Sequence, residues 1–456
     1  MKITEKMKKT QTFIESIEPF TDPIFMEAIK KSFGICFENS IFEDESEGNS
    51  MKIDWNKYKS PMIQNGVKLM KEINDAGFEA YVVGGAVRDI LMGDPNPHDI
   101  DIASNMPIDE LKKRYRTIEY GGGETHGTVI VRYNEEDYEI TQFRAESEYT
   151  DGRRPDKVEF IQSFEEDTKR RDFTINSMGI DAAGNVIDYH GGAEDIKDKR
   201  LRTVGNARDR FGAASDGDAL RMLRAVRFAA RFDFNVDPEI IEAIKELKHL
   251  IKSTVSVERV RDELWKTIGY GGKKFGEALK FMKDTELFNV ILPTINLTDE
   301  KIEAVNEVDS NDPIINFSIL MKDMHREEIN LVCDGLTTTK PEKKSIGYIV
   351  DGLKVYPFLD KIPNKKLAMN IVMNPDFSKL RKTYSAINGN DVNGIEEIIN
   401  KYATIASKQK EINVIIGSKG IKGNDFNAMI EKVTGWLFMN GMTDTEAIDK
   451  FIEKNK

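Results

Sequence analysis

The chain has 456 residues, 39% of them hydrophobic and 32% charged, and its 66 Lys and Arg against 78 Asp and Glu leave a net charge of −12. These values suit a soluble globular chain of roughly two to four packed units, and the acidity argues against indiscriminate nucleic-acid binding while leaving room for local basic surfaces. No apolar run reaches membrane-spanning length, the start Met1-Lys2-Ile3-Thr4 lacks a signal-peptide core, and Cys36 and Cys333 match no metal spacing, which predicts a reducing, cytoplasmic setting with no membrane partner.

In chain order, residues 1–50 form an extension of mixed polarity with an acidic cluster at Glu43-Asp44-Glu45-Ser46-Glu47 and no legible chemistry. Met62, Ile63, Val67, Leu69, Met70 and Ile73 predict an amphipathic helix over 61–76, stopped by Gly77. The β-branched run 80–83 then leads into Gly84-Gly85, after which a helix is expected to open at Ala86 with free amides facing outward. That geometry suits an anion, and Arg88 in the first turn adds a fork-shaped donor for phosphate. Asp99-Ile100-Asp101 is read as part of the next strand, where positions i and i+2 leave the same face. Two adjacent carboxylates repel each other unless a cation lies between them, and Mg²⁺ takes one or two carboxylates with water and phosphate oxygens. Asp-x-Asp alone is common in turns and solvated strands; beside a glycine turn and an arginine it points to a metal-dependent nucleotide enzyme.

Pro107 opens a further helix, and 127–133 with 137–143 reads as an antiparallel hairpin. Glu139 in its second strand shares a face with Thr141, available for metal binding or for deprotonating a hydroxyl, or else an ordinary solvated glutamate. With a strand at 157–161, the region up to about residue 200 is an α+β unit. Beyond it the pattern is helical, over 206–231, 237–248, 256–268 and 273–284, with loops at Gly269-Tyr270-Gly271-Gly272 and Thr337-Thr338-Thr339-Lys340-Pro341.

Two arginine-rich segments add to this. Arg170-Arg171-Asp172 precedes an apolar, helix-like run, a pattern that alone reads as a charge pair at a helix start; beside a phosphate site, Arg171 becomes a triphosphate or ribose contact. On a helix, Arg221, Arg224, Arg227 and Arg231 fall on one side, opposite Ala219, Met222, Leu223, Val226, Ala229 and Ala230. Such a stripe is often just a solvated face. Asp218, one turn before Arg221, is placed to orient it, and the pair offers the acceptors and donors that reading a base edge requires.

The run 84–101, the segment 170–178, Asp218-Ala219-Leu220-Arg221-Met222-Leu223-Arg224-Ala225-Val226-Arg227-Phe228 and Ser256-Val257-Glu258-Arg259-Val260 together resemble the class II tRNA nucleotidyltransferases, or CCA-adding enzymes, a family that includes bacterial poly(A) polymerases. The resemblance covers about residues 78–265. It implies an α+β fold with a polymerase-β-like nucleotidyltransferase head followed by an elongated all-helical neck, body and tail. The expected division is 1–50 extension, 51–200 head, 201–268 neck, 269–345 body and 346–456 tail. It further implies Mg²⁺ held by Asp99 and Asp101, and CTP and ATP as substrates added to a tRNA 3′ end. Gly84, Gly85, Arg88 and Arg171 would contact the nucleotide, Asp218 and Arg221 would template the base, and Arg224 and Arg227 would complete the site. Arg153, in Asp151-Gly152-Arg153-Arg154-Pro155, resembles part of a mobile loop that adjusts the pocket, and Glu258 and Arg259 would brace the template helix.

The chain departs from that family at Gly217, where members usually carry Glu before the templating Asp; a missing carboxylate there is expected to loosen Arg221. A poly(A) polymerase is the alternative within the family, but the basic run such enzymes tend to carry after the two aspartates is absent from Tyr115-Arg116-Thr117-Ile118-Glu119-Tyr120-Gly121-Gly122-Gly123, and His126-Gly127-Thr128-Val129 is closer to the CCA-adding branch. Enzymes adding only CC or only A, and a catalytically silent RNA-binding protein, are the other readings. Oligomeric state is not legible.

Overall fold

A computed structural model describes residues 51–456 apart from 98, 119–126, 148–156, 215–216, 309 and 442–443. The N-terminal extension lies outside the described residues. Helix α1 (Pro61–Asp75) starts with Pro in its first turn and buries Ile63, Gly66, Val67, Leu69, Met70 and Ile73. Gly66 is there for space: a Cβ would stand 3.1 Å from the Tyr138 ring, whose hydroxyl donates to the Met62 carbonyl at 2.6 Å.

The head is a seven-stranded sheet in the order β3-β4-β5-β2-β1-β8-β9. Its strands are β1 (Ala80–Val83), β2 (Asp101–Ser104), β3 (Arg116–Ile118), β4 (Thr128–Tyr133), β5 (Glu136–Gln142), β8 (Met178–Ile180) and β9 (Val186–Asp188), with β6 (Arg144–Ser147) and β7 (Lys157–Phe160) pairing separately. All the pairs within the large sheet are antiparallel except β2 with β5. The expected hairpin is present, and Asn134 and Glu135 at its tip both have positive φ, the two-residue turn that matches strand twist. One face of the sheet carries Val82, Ile102, Ile140, Tyr138 and Ile180 into the core shared with α1 and α2 (Gly85–Leu91). The other packs Val83, Ala103 and Phe143 under Phe164 at the start of α4 (Phe164–Lys169), which follows α3 (Ile108–Arg114) in the chain. The run after Asp172 differs from its helix-like expectation. Thr174–Asn176 makes one 3₁₀ turn and the chain enters β8 beside β1, because Met178 and Ile180 have a sheet core to fill.

After α5 (Gly192–Lys197) the chain is helical apart from a short parallel pairing of β10 (Arg200–Leu201) with β11 (Asn235–Val236). The single helix expected over 206–231 is broken. A π-type turn at Asp209–Ala213, with Gly212 at φ 116°, precedes helix α6 (Leu220–Phe232). Then follow α7 (Pro238–Leu247), α8 (Leu250–Thr254), α9 (Val257–Ile268) and α10 (Gly272–Asp284), with further helices to α21 (Thr445–Asn455). A contiguous core runs from Phe173 and Leu201 through α6 to the last helix. No helix among the described residues is long and apolar enough to cross a membrane.

Helix α6 is buried nearly all round, so its arginines are not a solvated stripe. Arg227, expected beside the nucleotide, is 7% exposed; it pairs with Glu263 of α9, donates to the Tyr270 hydroxyl at 3.3 Å and lies 4.3 Å over the Phe228 ring. It is a buried strut between α6 and α9. Removing one member of a buried pair strands the other charge, so Arg227→Met is expected to cost about 3 kcal/mol in urea unfolding. The double change Arg227→Met with Glu263→Leu should recover most of that loss, and an unaffected single variant would refute the strut.

Candidate active site

Strand β1 delivers the chain to Gly84, whose φ of 69° is the left-handed conformation glycine permits, and α2 begins at Gly85, one residue earlier than expected. Asp101 heads β2 opposite Val83, and the parallel register Ile102↔Ile140 sets Glu139 alongside it. Asp99 is not on the strand. It precedes β2 with φ 56°, so its place beside Asp101 comes from a left-handed turn and not from strand alternation.

Although Asp101 stands at the exposed start of its strand, its carboxyl is pushed up to about 6, first by lost hydration and then by Glu139 and Asp99, against the pull of Arg171. Glu139 is exposed and shares its face with Thr141, whose hydroxyl lies 3.0 Å from that of Thr128. Among the described residues these carboxylates do not close into a three-ligand metal cage. An all-oxygen set with mutually repelling charges nevertheless fits a hard divalent ion that keeps water and phosphate in its remaining positions.

Arg171 comes to the same place from the other side. Its Nη2 donates to Asp167 at 3.0 Å, its Nη1 lies 4.0 Å from where a Cβ on Gly84 would stand, and its Nε is buried with no hydrogen-bond partner. A buried cation with an unused donor beside the glycine turn fits an anionic ligand. Arg88 is placed differently from its expectation as an open phosphate fork. Only 4% exposed, it donates to Asn176 at 2.6 Å and Asp89 at 2.9 Å and stacks 4.6 Å over Phe232. It braces the turn from beneath.

Helix α6 meets the head through charged contacts. Arg224 donates through Nε to Asp172 at 2.7 Å, and Arg231 lies 3.8 Å from Asp89. Burial works against the Asp172 charge, yet Arg224 and Arg221 hold its carboxyl below the usual range. Asp218 precedes the helix and, contrary to expectation, does not hold the Arg221 side chain. One Asp218 oxygen caps the helix by accepting from the Leu220 amide at 2.9 Å, and the other accepts from Arg259 of α9 at 2.6 Å. The brace expected of Arg259 is therefore present. Arg221 is held by backbone, donating to the Arg170 carbonyl at 2.8 Å and the Arg210 carbonyl at 3.4 Å. The loosening expected from Gly217 is thus countered by carbonyls. Asp99, Asp101, Glu139, Gly84 and Arg171 gather at one end of the sheet, with Asp218, Arg221 and Arg224 at the adjoining seam. Arg153 and residues 119–126 lie outside the described residues.

Residues 80–202 match the family described as the poly A polymerase head domain, and 233–297 match the probable RNA and SrmB-binding site of polymerase A. Over these two stretches the chain is similar to poly(A) polymerases and tRNA nucleotidyltransferases. The CCA-adding enzyme of Lactobacillus johnsonii is 48% identical over 221 residues, 48% of this chain and 53% of that protein. The Bacillus subtilis CCA-adding enzyme is 46% identical over 221 residues, again 48% of this chain and 53% of that protein. The aligned stretch spans about half the length of the curated relatives it matches. The Bacillus stearothermophilus CCA-adding enzyme in complex with CTP superposes with a TM-score of 0.65 at 26% identity, over 87% of this chain and 98% of that one. The Thermotoga maritima CCA-adding enzyme complexed with tRNA shares the fold, with a TM-score of 0.62 at 19% identity over 88% of this chain and 97% of that one.

Sequence reasoning gave Asp89 and Glu263 no role and read Asp172 only as part of a charge pair at a helix start, though Asp172 and Asp89 stand directly after arginines that it singles out. Asp172→Ala should cost about 3 kcal/mol near pH 7 by stranding Arg224. Because the Asp172 carboxyl is held low, its contribution is complete above about pH 4 and fades as pH falls through the depressed value. The gap between wild type and variant in denaturant midpoint should therefore shrink in acid; a gap that widens there would contradict the pairing.

Proposed function

We propose that this nucleotidyltransferase-family protein adds CCA to the 3′ end of tRNA from CTP and ATP, releasing pyrophosphate. The observation that carries this reading is the continuous path from the transfer residues to the base-reading residues. Asp101 feels the charge of Arg171, and the carbonyl of neighbouring Arg170 accepts from Arg221 at 2.8 Å. One site thus offers a place for phosphate chemistry and, next to it, donors and acceptors matched to a base edge.

Asp99 and Asp101, with Glu139 beside them, are the residues that would hold Mg²⁺, which when bound lowers the pKa of an attacking hydroxyl and neutralises triphosphate charge. The chain supplies the rest. Arg171, with its unused Nε at the Gly84-Gly85 turn, binds the triphosphate; Arg88 keeps that turn in place. Asp218 has lone pairs left to accept from an exocyclic amine, and Arg221 retains donors for ring nitrogen or carbonyl. Arg224 closes the nucleotide side of the seam, and the resemblance to the family adds Arg153 to the residues that adjust nucleotide binding. The tRNA 3′-hydroxyl attacks the α-phosphorus, a phosphodiester bond forms, and pyrophosphate leaves; alignment of these atoms supplies much of the rate. Cytosine and adenine both present an amine beside a ring nitrogen, so one Asp–Arg pair serves both bases. Localised contacts to tRNA and a cytoplasmic setting fit an acidic chain.

Transcripts ending before CCA, after C and after CC should accept C and C and A, C and A, and A alone, respectively. Long A tails would instead favour poly(A) synthesis, and no product would sink the reading. Asp101→Asn should lower incorporation at least ~100-fold while tRNA retention on a filter persists.

A further inference from the structure

Gly217 is packed in a way that its missing side chain alone explains. A Cβ there would lie 2.4 Å from the Asp209 carbonyl oxygen and the Gly212 nitrogen, and 2.5 Å from the Gly212 Cα. These are backbone atoms, so any side chain at 217 must push the Asp209–Ala213 turn away. That turn presents the Arg210 carbonyl, which accepts from the Asp218 amide at 3.0 Å and from Arg221 Nη1 at 3.4 Å. The turn is wedged from its other side too, since Gly212 sits at φ 116° and a Cβ there would lie 3.1 Å from Leu250 Cδ1 of α8.

Arg221 is 9% exposed and, among the described residues, has no carboxylate within ion-pair distance; its positions are set by two neutral carbonyls. A carbonyl orients a guanidinium without neutralising it, which leaves the remaining N–H donors at full strength for a ligand. A carboxylate in the same position would compete with the base for those donors.

We propose that Gly217 is a specificity-determining positioning residue: by admitting the Asp209–Ala213 turn, it lets the Arg210 carbonyl aim Arg221 and Asp218 together at the base. This rests on the CCA-adding reading. The aim matters for discrimination because cytosine presents an amine where uracil presents a carbonyl. With Asp218 and Arg221 in place, uracil meets acceptor against acceptor; with the turn displaced, neither base is read well.

The test is the ratio of kcat/KM for CTP over UTP on a transcript lacking CCA. A merely structural role would lower the active fraction and scale both nucleotides alike, leaving this ratio unmoved. Gly217→Ala should lower it about tenfold or more, and Gly217→Glu toward about 100-fold, since displacements near 1 Å have effects of that order. Leu250→Ala, which loosens the turn from behind without crowding position 217, should move the ratio in the same direction by less, and it carries the test should the Gly217 variants not fold. Unchanged ratios in the folded variants, or a wild type without preference for CTP, would overturn the proposal. A wild type inert on every transcript would overturn the CCA-adding reading and this proposal with it, whereas an active, selective wild type with equally selective variants would overturn only the role of Gly217.

Discussion

Arg88 stacked on Phe228 and Phe232, together with the Arg224–Asp172 and Arg231–Asp89 pairs, holds the sheet that carries Asp101 against the helix that carries Arg221, whose own arginines stack on the same two rings from within the helix. Phe228 receives Arg88 at 5.4 Å, Arg224 at 5.1 Å and Arg227 at 4.3 Å, while Phe232 receives Arg88 at 4.6 Å and Arg231 at 4.8 Å. Desolvated stacking of this kind contributes roughly 2 kcal/mol per contact, and Asp172, Asp89 and Glu263 supply the countercharges. The distance between the Asp101 end of the site and the Arg221 end is set by this seam together with the Arg221 donation to the Arg170 carbonyl at 2.8 Å.

The two aspartates that bound the seam show how one side chain is put to opposite uses. Asp172 is buried, yet two arginines and the Phe173 amide keep it charged and low. Asp101 loses hydration, has Glu139 and Asp99 for neighbours, and rises to about 6. The first arrangement is complete within the chain and serves as structure. The second sets carboxylates against one another, which supports the proposed role of this corner in holding a divalent cation.

Much of the head was legible because its signals are local. Alternating β-branched runs marked β1, β4 and β5, and Pro61 with the apolar spacing marked α1 to within a residue. Asp99 and Asp101 were paired rightly but by the wrong geometry, since sequence spacing does not reveal a left-handed backbone. Strand β8 was missed because three residues between Asn176 and Asp181 carry almost no pattern; it is a strand only because β1 lies beside it. The break before α6 was invisible to periodicity, as it depends on Gly217 meeting Gly212 across a turn. Likewise, residues four apart on a helix can be named from sequence, but not the carbonyls of Arg170 and Arg210, reached from 51 and 11 residues away. Long-range partners decide which arginines are tied up in buried ion pairs and which are held by backbone carbonyls.

Asp99 carries a cost that its neighbours do not. Holding a side chain other than glycine at φ 56° is unfavourable by about 1 kcal/mol, a penalty aspartate softens through local hydrogen bonding but does not escape. Glycine at that position would relax the backbone and remove the carboxylate in the same step. The more robust backbone and the carboxylate our proposal needs are therefore alternatives at this one position, so stability and transfer activity should move in opposite directions there.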